Sequence, residues 1–170
     1  MTHSTVGAGH RSDVRPGKGY VSAFLHGGIS GPGEWLVEKH GFKKRRSWRK
    51  FHIGVDARTG QIAAVEVTAP DSDDASQVGP LLDQVTASVE GLIGDGAYDR
   101  TEVYAAVAAR YPEAAVIAPP RADAVLSATA ATVPTPPDRH IQTIAETGRM
   151  SWQRTSGYNE RAKAEAAIAR

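Results

Sequence analysis

Two carboxylates stand out by their neighbours. Asp95 lies between Gly94 and Gly96, directly after the segment VEGLIG at 89–94, which reads as a short buried strand. A carboxylate just past a buried strand is carried on a rigid element, and flanking glycines let a ligand come close. In open α/β sheets, ligands bind at such strand ends. The same position also suits an Asp that caps the next helix. Glu165 is the second. Tyr158, Arg161 and Glu165 recur at i, i+3 and i+7, which places them on one helix face. Those three make a poor core stripe. They suit a metal-binding carboxylate with phosphate-contacting neighbours, or more simply an exposed helix with an ordinary Arg161–Glu165 pair. The third feature is the segment 39–50, KHGFKKRRSWRK. It holds Lys39, Lys43, Lys44, Arg45, Arg46, Arg49 and Lys50, and no acid. Trp48 and Phe51 lie among these cations, where they could stack on bases or serve as core residues of a strand.

The rest of the chain must position these groups. Residues 46–57 alternate in part, with Trp48, Lys50, His52 and Gly54 against Arg49, Phe51, Ile53 and Val55, which is strand periodicity. Arg58-Thr59-Gly60 is a turn signal, with Asp56 beside it as a turn-former. A second strand follows at 62–69, so the pair reads as an antiparallel hairpin. Pro70 ends it. Asp71, Asp73 and Asp74 are helix-start chemistry for a helix over 73–86, whose apolar face is Val78, Leu81, Leu82 and Val85. Pro80 must then fall in a first turn or kink that helix. A buried strand at 89–94, an amphipathic helix at 101–110 with Val103, Tyr104 and Val107 inward, and a buried strand at 114–120 complete a β-β-α-β-α-β order. Residues 122–138 read as a loop or insertion, 140–147 as a short helix, and 156–170 as a helix without large apolar residues, which needs a partner surface. Residues 1–30 read as a polar, Gly-rich, disordered leader with one short strand near 20–25.

Composition bounds the function. The chain has 170 residues, which suits one domain. It has no cysteine, which excludes a disulfide framework, a thiolate zinc site and a cysteine nucleophile. No apolar run approaches the roughly 20 residues of a membrane span, and the N-terminus has no secretory pattern. The six histidines lack metal-ligand spacing, and there is no P-loop or GxSxG. The net charge of +1 conceals an asymmetry. Seven of the 20 Lys and Arg fall in 39–50, which leaves 13 against 19 acids, a balance of −6. A basic segment on an acidic body points to an anionic partner, most naturally nucleic acid, against the plainer reading of a solvated basic strand.

The segments GEWLVEKHG (33–41), RRSWRKFHIGVDARTGQI (45–62), DDASQVGPLLDQV (73–85), GDGAYD (94–99), AAVIAPPR (114–121) and GRMSWQRTSGYNERAKAEAAIAR (148–170) together resemble an insertion-sequence transposase of the Asp-Asp-Glu type. The group they resemble most is the insertion-sequence-five group, in the insertion-sequence-four-like superfamily. The resemblance covers about 31–170. It implies an α/β fold: an RNase H-like mixed sheet flanked by helices, incomplete at both ends, with 31–170 a partial catalytic domain of a truncated copy. It implies three carboxylates holding two Mg²⁺ or Mn²⁺ ions. Asp95 matches the second acid. Glu165 matches the third, within Tyr-x2-Arg-x3-Glu-x6-Lys, where Tyr158 and Arg161 also fit; the lysine would fall two residues past Arg170. The first acid is the departure. Counting back from Trp35 reaches Ser22 and Ala23, and no acid lies between Arg15 and Gly33.

The resemblance therefore implies Asp95 and Glu165 as metal-ligating catalytic residues, with metal binding weakened and strand cleavage and transfer impaired. Lys43, Lys44, Arg45, Arg46, Arg49, Lys50, Tyr158 and Arg161 are the implied DNA contacts. The implied partners are double-stranded DNA, at transposon ends and target, and further copies in a homo-oligomer. The implied location is the cytoplasm, at the nucleoid and without a membrane. A non-catalytic DNA-binding remnant is the alternative, and a product that does not fold stably is a third.

Overall fold

The computed structural model describes residues 19–30 and 48–168. Five strands form one sheet: β1 (Gly19–Ser30), β2 (Trp48–Asp56), β3 (Ile62–Thr68), β4 (Val89–Ile93) and β5 (Ala115–Ile117), in the order β3-β2-β1-β4-β5. β2 pairs antiparallel with both β1 and β3; β4 runs parallel to β1 and β5. The fold is mixed α/β. Of the expected leader, residues 1–18 lie outside the described residues. Residues 19–30 form a twelve-residue strand in the middle of the sheet rather than a short one near 20–25. Glycine and weak alternation conceal such a strand. A strand paired on both sides is stabilised by its ladders and neighbours more than by its own propensity.

The β2–β3 hairpin turns as its residues require. Asp56 Oδ1 accepts from the backbone N–H groups of Arg58 and Thr59 at 2.8 and 3.1 Å, and Gly60 takes a positive φ of 71°, a conformation glycine adopts without strain. The helix expected over 73–86 is shorter. A 3₁₀ turn at Ala75–Gln77 precedes α1 (Val78–Asp83). Pro80 is the third residue of α1, inside the first turn, where its missing N–H removes no helical hydrogen bond. α2 (Thr101–Arg110) matches the expected span, with Val103 and Val107 buried.

Period-two alternation sends neighbouring strand residues to opposite faces. Leu92 and Val116 join Val78, Leu81, Leu82, Tyr98, Val103 and Val107 in a core beneath α1 and α2. Ile93 and Ile117 pack on Trp152 on the other face, and Ile53 and Val55 pack there on Ala164. Phe51 is partly buried against this second cluster, so it is a core residue. The result is three layers, helices on both faces of one sheet.

The second helical layer departs most from its expected boundaries. α3 (Pro136–Thr147) begins four residues before 140. Pro136 and Pro137 occupy its first two positions, where proline starts a helix rather than breaking one. Thr135 and Asp138 form a capping box. Asp138, 1% exposed, also accepts from the Ser127 N–H at 2.7 Å and the Ser127 hydroxyl at 2.8 Å, so it ties the loop to the helix. The expected helix at 156–170 is interrupted. α4 (Arg149–Thr155) lies ahead of it, Gly157 turns at φ 82°, a 3₁₀ turn covers Tyr158–Glu160, and α5 is Arg161–Ile168. Among the described residues no helix is long and apolar enough to cross a membrane.

Candidate functional site

Asp95 follows β4 directly and opens a 3₁₀ turn, with Oδ1 accepting from Ala97 N–H at 2.9 Å. The capping reading of its position is thus satisfied by one oxygen. Gly94 has a steric reason to be glycine: a Cβ there would lie 2.8 Å from Tyr98 Cδ2 and 2.9 Å from Tyr98 Cβ. Tyr98 is 2% exposed and anchors the turn in the core. Burial first, then the Asp74 and Asp95 carboxylates, hold its hydroxyl well above the ordinary phenol range. Tyr98 is therefore neutral packing at working pH and no base.

Arg161 joins the two acids singled out from the sequence. Its Nη2 lies 2.9 Å from Glu165 Oε1 and 3.8 Å from Asp95 Oδ2. Its Nη1 lies 3.5 Å from the Tyr158 hydroxyl. So Asp95, Tyr158, Arg161 and Glu165 come together, although Tyr158 stands on the 3₁₀ turn and not on the helix that carries the other two.

Two residues that sequence reasoning left aside hold this arrangement. Trp152, 1% exposed, donates from Nε1 to His140 Nδ1 at 3.1 Å. An acceptor at Nδ1 places the ring proton on Nε2, which donates to Val116 C=O at 2.9 Å. Trp152 meets the Tyr158 ring at 5.5 Å between centroids. A chain of contacts thus runs from β5 through His140, Trp152 and Tyr158 to Arg161. A lone Trp in a polar stretch, twelve residues after a lone His, was the only available signal.

The basic segment divides. Lys43, Lys44, Arg45 and Arg46 lie outside the described residues. Arg49 is exposed on β2. Lys50 points to protein instead: its Nζ lies 2.8 Å from Asp74 Oδ1 and donates to Ser72 C=O at 3.0 Å. His52 is fully buried beside it, with Nδ1 3.3 Å from the same Asp74 oxygen and Nε2 2.8 Å from Thr68 Oγ1. Asp73 pairs with Arg100 at 2.7 Å and accepts from Ser76 N–H. The acidic stretch after β3 therefore fastens the loop to β2 and to the segment after β4, besides starting the helical turn.

A centre for two divalent ions needs several converging oxygen ligands. Among the described residues no group of three or more His, Cys, Asp or Glu converges in that way. Ser22 of β1 lies level with Ile93, two residues before Asp95, and β1 contains no acid. Asp95 and Glu165 already share a guanidinium. These residues do not fit a two-ion centre.

The chain matches the family described as Transposase DDE domain over residues 10–169. It belongs to that family. No solved structure matches it.

Proposed function

We propose that this chain is a transposase domain of the insertion-sequence-five group that engages double-stranded DNA but is impaired in cleaving and joining it. The observation that carries this reading is the meeting of Asp95 and Glu165, 70 residues apart in sequence, on either side of Arg161, opposite a strand β1 without a carboxylate. The order β3-β2-β1-β4-β5, antiparallel on one side of β1 and parallel on the other, supports an RNase H-like architecture. In-line displacement at phosphorus requires charge neutralisation at the leaving oxygen, and two acids sharing an arginine do not assemble it. Lys43, Lys44, Arg45, Arg46 and Arg49 serve the phosphate backbone, a contact that fixes position without reading sequence. Arg161 and Tyr158 face the strand end where a DNA end would lie. Such a protein acts in the cytoplasm, at the nucleoid.

The test has two arms. Binding of a labelled duplex, followed by anisotropy across a salt series, should weaken steeply as salt rises. Supercoiled plasmid incubated with the chain in Mg²⁺ or Mn²⁺ should show no nicking above the buffer blank. Nicking that Asp95→Asn abolishes would refute the impairment. Salt-insensitive binding would refute the DNA partner. The alternative, a remnant with no residual site, predicts that Asp95→Asn and Glu165→Gln change nothing in either arm.

A further inference from the structure

The two edges of the sheet are unequal. Among the described residues β5 ends it on one side with three residues, and β3 ends it on the other with seven. We infer that the β3 edge is a pairing surface for β3 of a second copy of this chain, and that the Gln84 side chain holds it closed.

Three observations carry this. First, the strand is built to pair. Its sequence IAAVEVT has no proline and no lysine, the residues that blunt a sheet edge. Val65 and Val67 stand opposite Ile53 and Phe51 of β2, on the face that carries Ala164. They remain 45% and 56% exposed, and Ile62 58%, so the layer that covers Ile53 stops short of β3. Second, Gln84 already occupies the edge. The Val65 N–H donates to Gln84 Oε1 at 3.1 Å, away from β2. Gln84 Nε2 donates to Glu66 Oε2 at 3.3 Å and to the Pro80 carbonyl at 3.4 Å. Gln84 caps the C-terminal end of α1, so a helix packed on the sheet carries this side chain across its rim. Ladder groups alternate along an antiparallel strand, and an incoming strand would need the same Val65 N–H. Gln84 and a further strand are thus alternative partners for it. Third, the edge is self-complementary. β3 paired antiparallel with its own copy about Val65 sets valine against valine and Glu66 against Ala64. No like charges meet, and the apolar faces of the two strands become continuous. A two-fold axis closes such a pair without leaving another edge of the same kind. β5, with three residues, cannot offer a ladder of that length, which makes a second β3 the matching strand. This inference stands on the geometry of the edge and does not depend on transposition.

The experiment uses the full chain and two readouts that need no enzymatic activity: sedimentation velocity over a concentration series, and hydrogen exchange of the Val65 amide. Wild type and Val65→Lys should sediment alike, because Gln84 closes the edge in both. Gln84→Ala should exchange the Val65 amide about fivefold faster than wild type at low concentration. As concentration rises, its mass should climb toward twice that of the wild-type species. Adding Val65→Lys to Gln84→Ala should remove the gain, since two lysines would then face each other across the two-fold. A Gln84→Ala chain that sediments like wild type at every concentration overturns the inference. So does added association that Val65→Lys fails to remove, or wild-type association that Val65→Lys removes. If Gln84→Ala does not fold, Gln84→Ser, nearly as short and more polar, takes its place under the same outcomes. Failure here leaves the DNA-binding arms above untouched, because neither readout uses DNA.

Discussion

Gly94 and Gly96 flank the same carboxylate, and replacing each by alanine should have opposite consequences. At Gly94 the new Cβ would sit 2.8–2.9 Å from Cδ2, Cβ and Cγ of Tyr98. Those atoms are not the loose end of a side chain. They belong to a residue packed among Val78, Leu92, Val103 and Val116, so the ring cannot yield without disturbing the core. Overpacking of this kind costs about 1–3 kcal/mol. For a chain of this length that lowers the melting temperature by about 2–4 °C per kcal/mol. At Gly96 the nearest atom is the Pro119 carbonyl oxygen at 3.4 Å, an ordinary contact. No positive φ is involved there, so alanine should be neutral or add about 0.4–1 kcal/mol by restricting the unfolded chain. Urea unfolding of both variants, with equal slopes required, measures the difference directly. Equal stability of the two would refute the steric argument. So would a Gly94→Ala variant as stable as wild type.

Other outcomes follow from the same contacts. Hydrogen bonds hold the Asp138 carboxyl well below its ordinary range, first from the Ser127 N–H and then from the Thr135 hydroxyl and N–H. Its folded pKa is lowered, so its contribution is present above the unfolded value near 4 and is lost as pH falls through the folded one. Asp138→Asn should therefore lower the melting temperature at pH 7, and the gap to wild type should narrow below about pH 4, as a pH series of melts would show. Trp152→Phe keeps most of the buried ring but strands His140 Nδ1 without its donor; chemical denaturation should show a loss of about 1–3 kcal/mol. Lys50→Met and Arg49→Ala separate neighbours on one strand. The first should lower stability and leave the salt slope of DNA binding intact, while the second should reduce that slope by about 1 and leave the melting temperature alone.

How much was legible beforehand varied with the kind of signal. The β2–β3 hairpin, α2 and the strand ahead of Asp95 follow from periodicity and turn residues, and the fold bears them out. β1 was legible only as a short strand near 20–25, because GYVSAFLHGGIS alternates weakly; its full twelve residues and central place come from its ladders with β2 and β4. The prolines at 136 and 137 suggested a continuing loop, yet the same residues start a helix when Thr135 caps it. Spacing placed Tyr158, Arg161 and Glu165 on one helix face, but the turn at Gly157 takes Tyr158 off the helix and keeps only the proximity. Lys50 shows the limit of charge patterns. Composition counts a lysine among the basic segment, whereas only tertiary structure shows that its ammonium meets Asp74.

The forces that bring Asp95 and Glu165 together are not the ones that chemistry would use. Both acids and Arg161 remain partly in solvent, with side chains 39%, 43% and 22% exposed, and exposed ion pairs contribute about 0–1 kcal/mol. Trp152 against Ile93 and Ile117, and Ala164 against Ile53 and Val55, are almost fully withdrawn from water. Burial of one large apolar side chain contributes about 1.5–3 kcal/mol. The docking of α4 and α5 on the sheet is therefore an apolar event, and the acids are carried to their places by it. Such a scaffold does not need a third carboxylate or a bound ion to keep its shape. The two clusters around Trp152 and Ala164 consist of apolar and aromatic side chains, with no carboxylate among the residues described there. Arg161 then completes the electrostatics locally, at small cost, where two carboxylates would otherwise face each other.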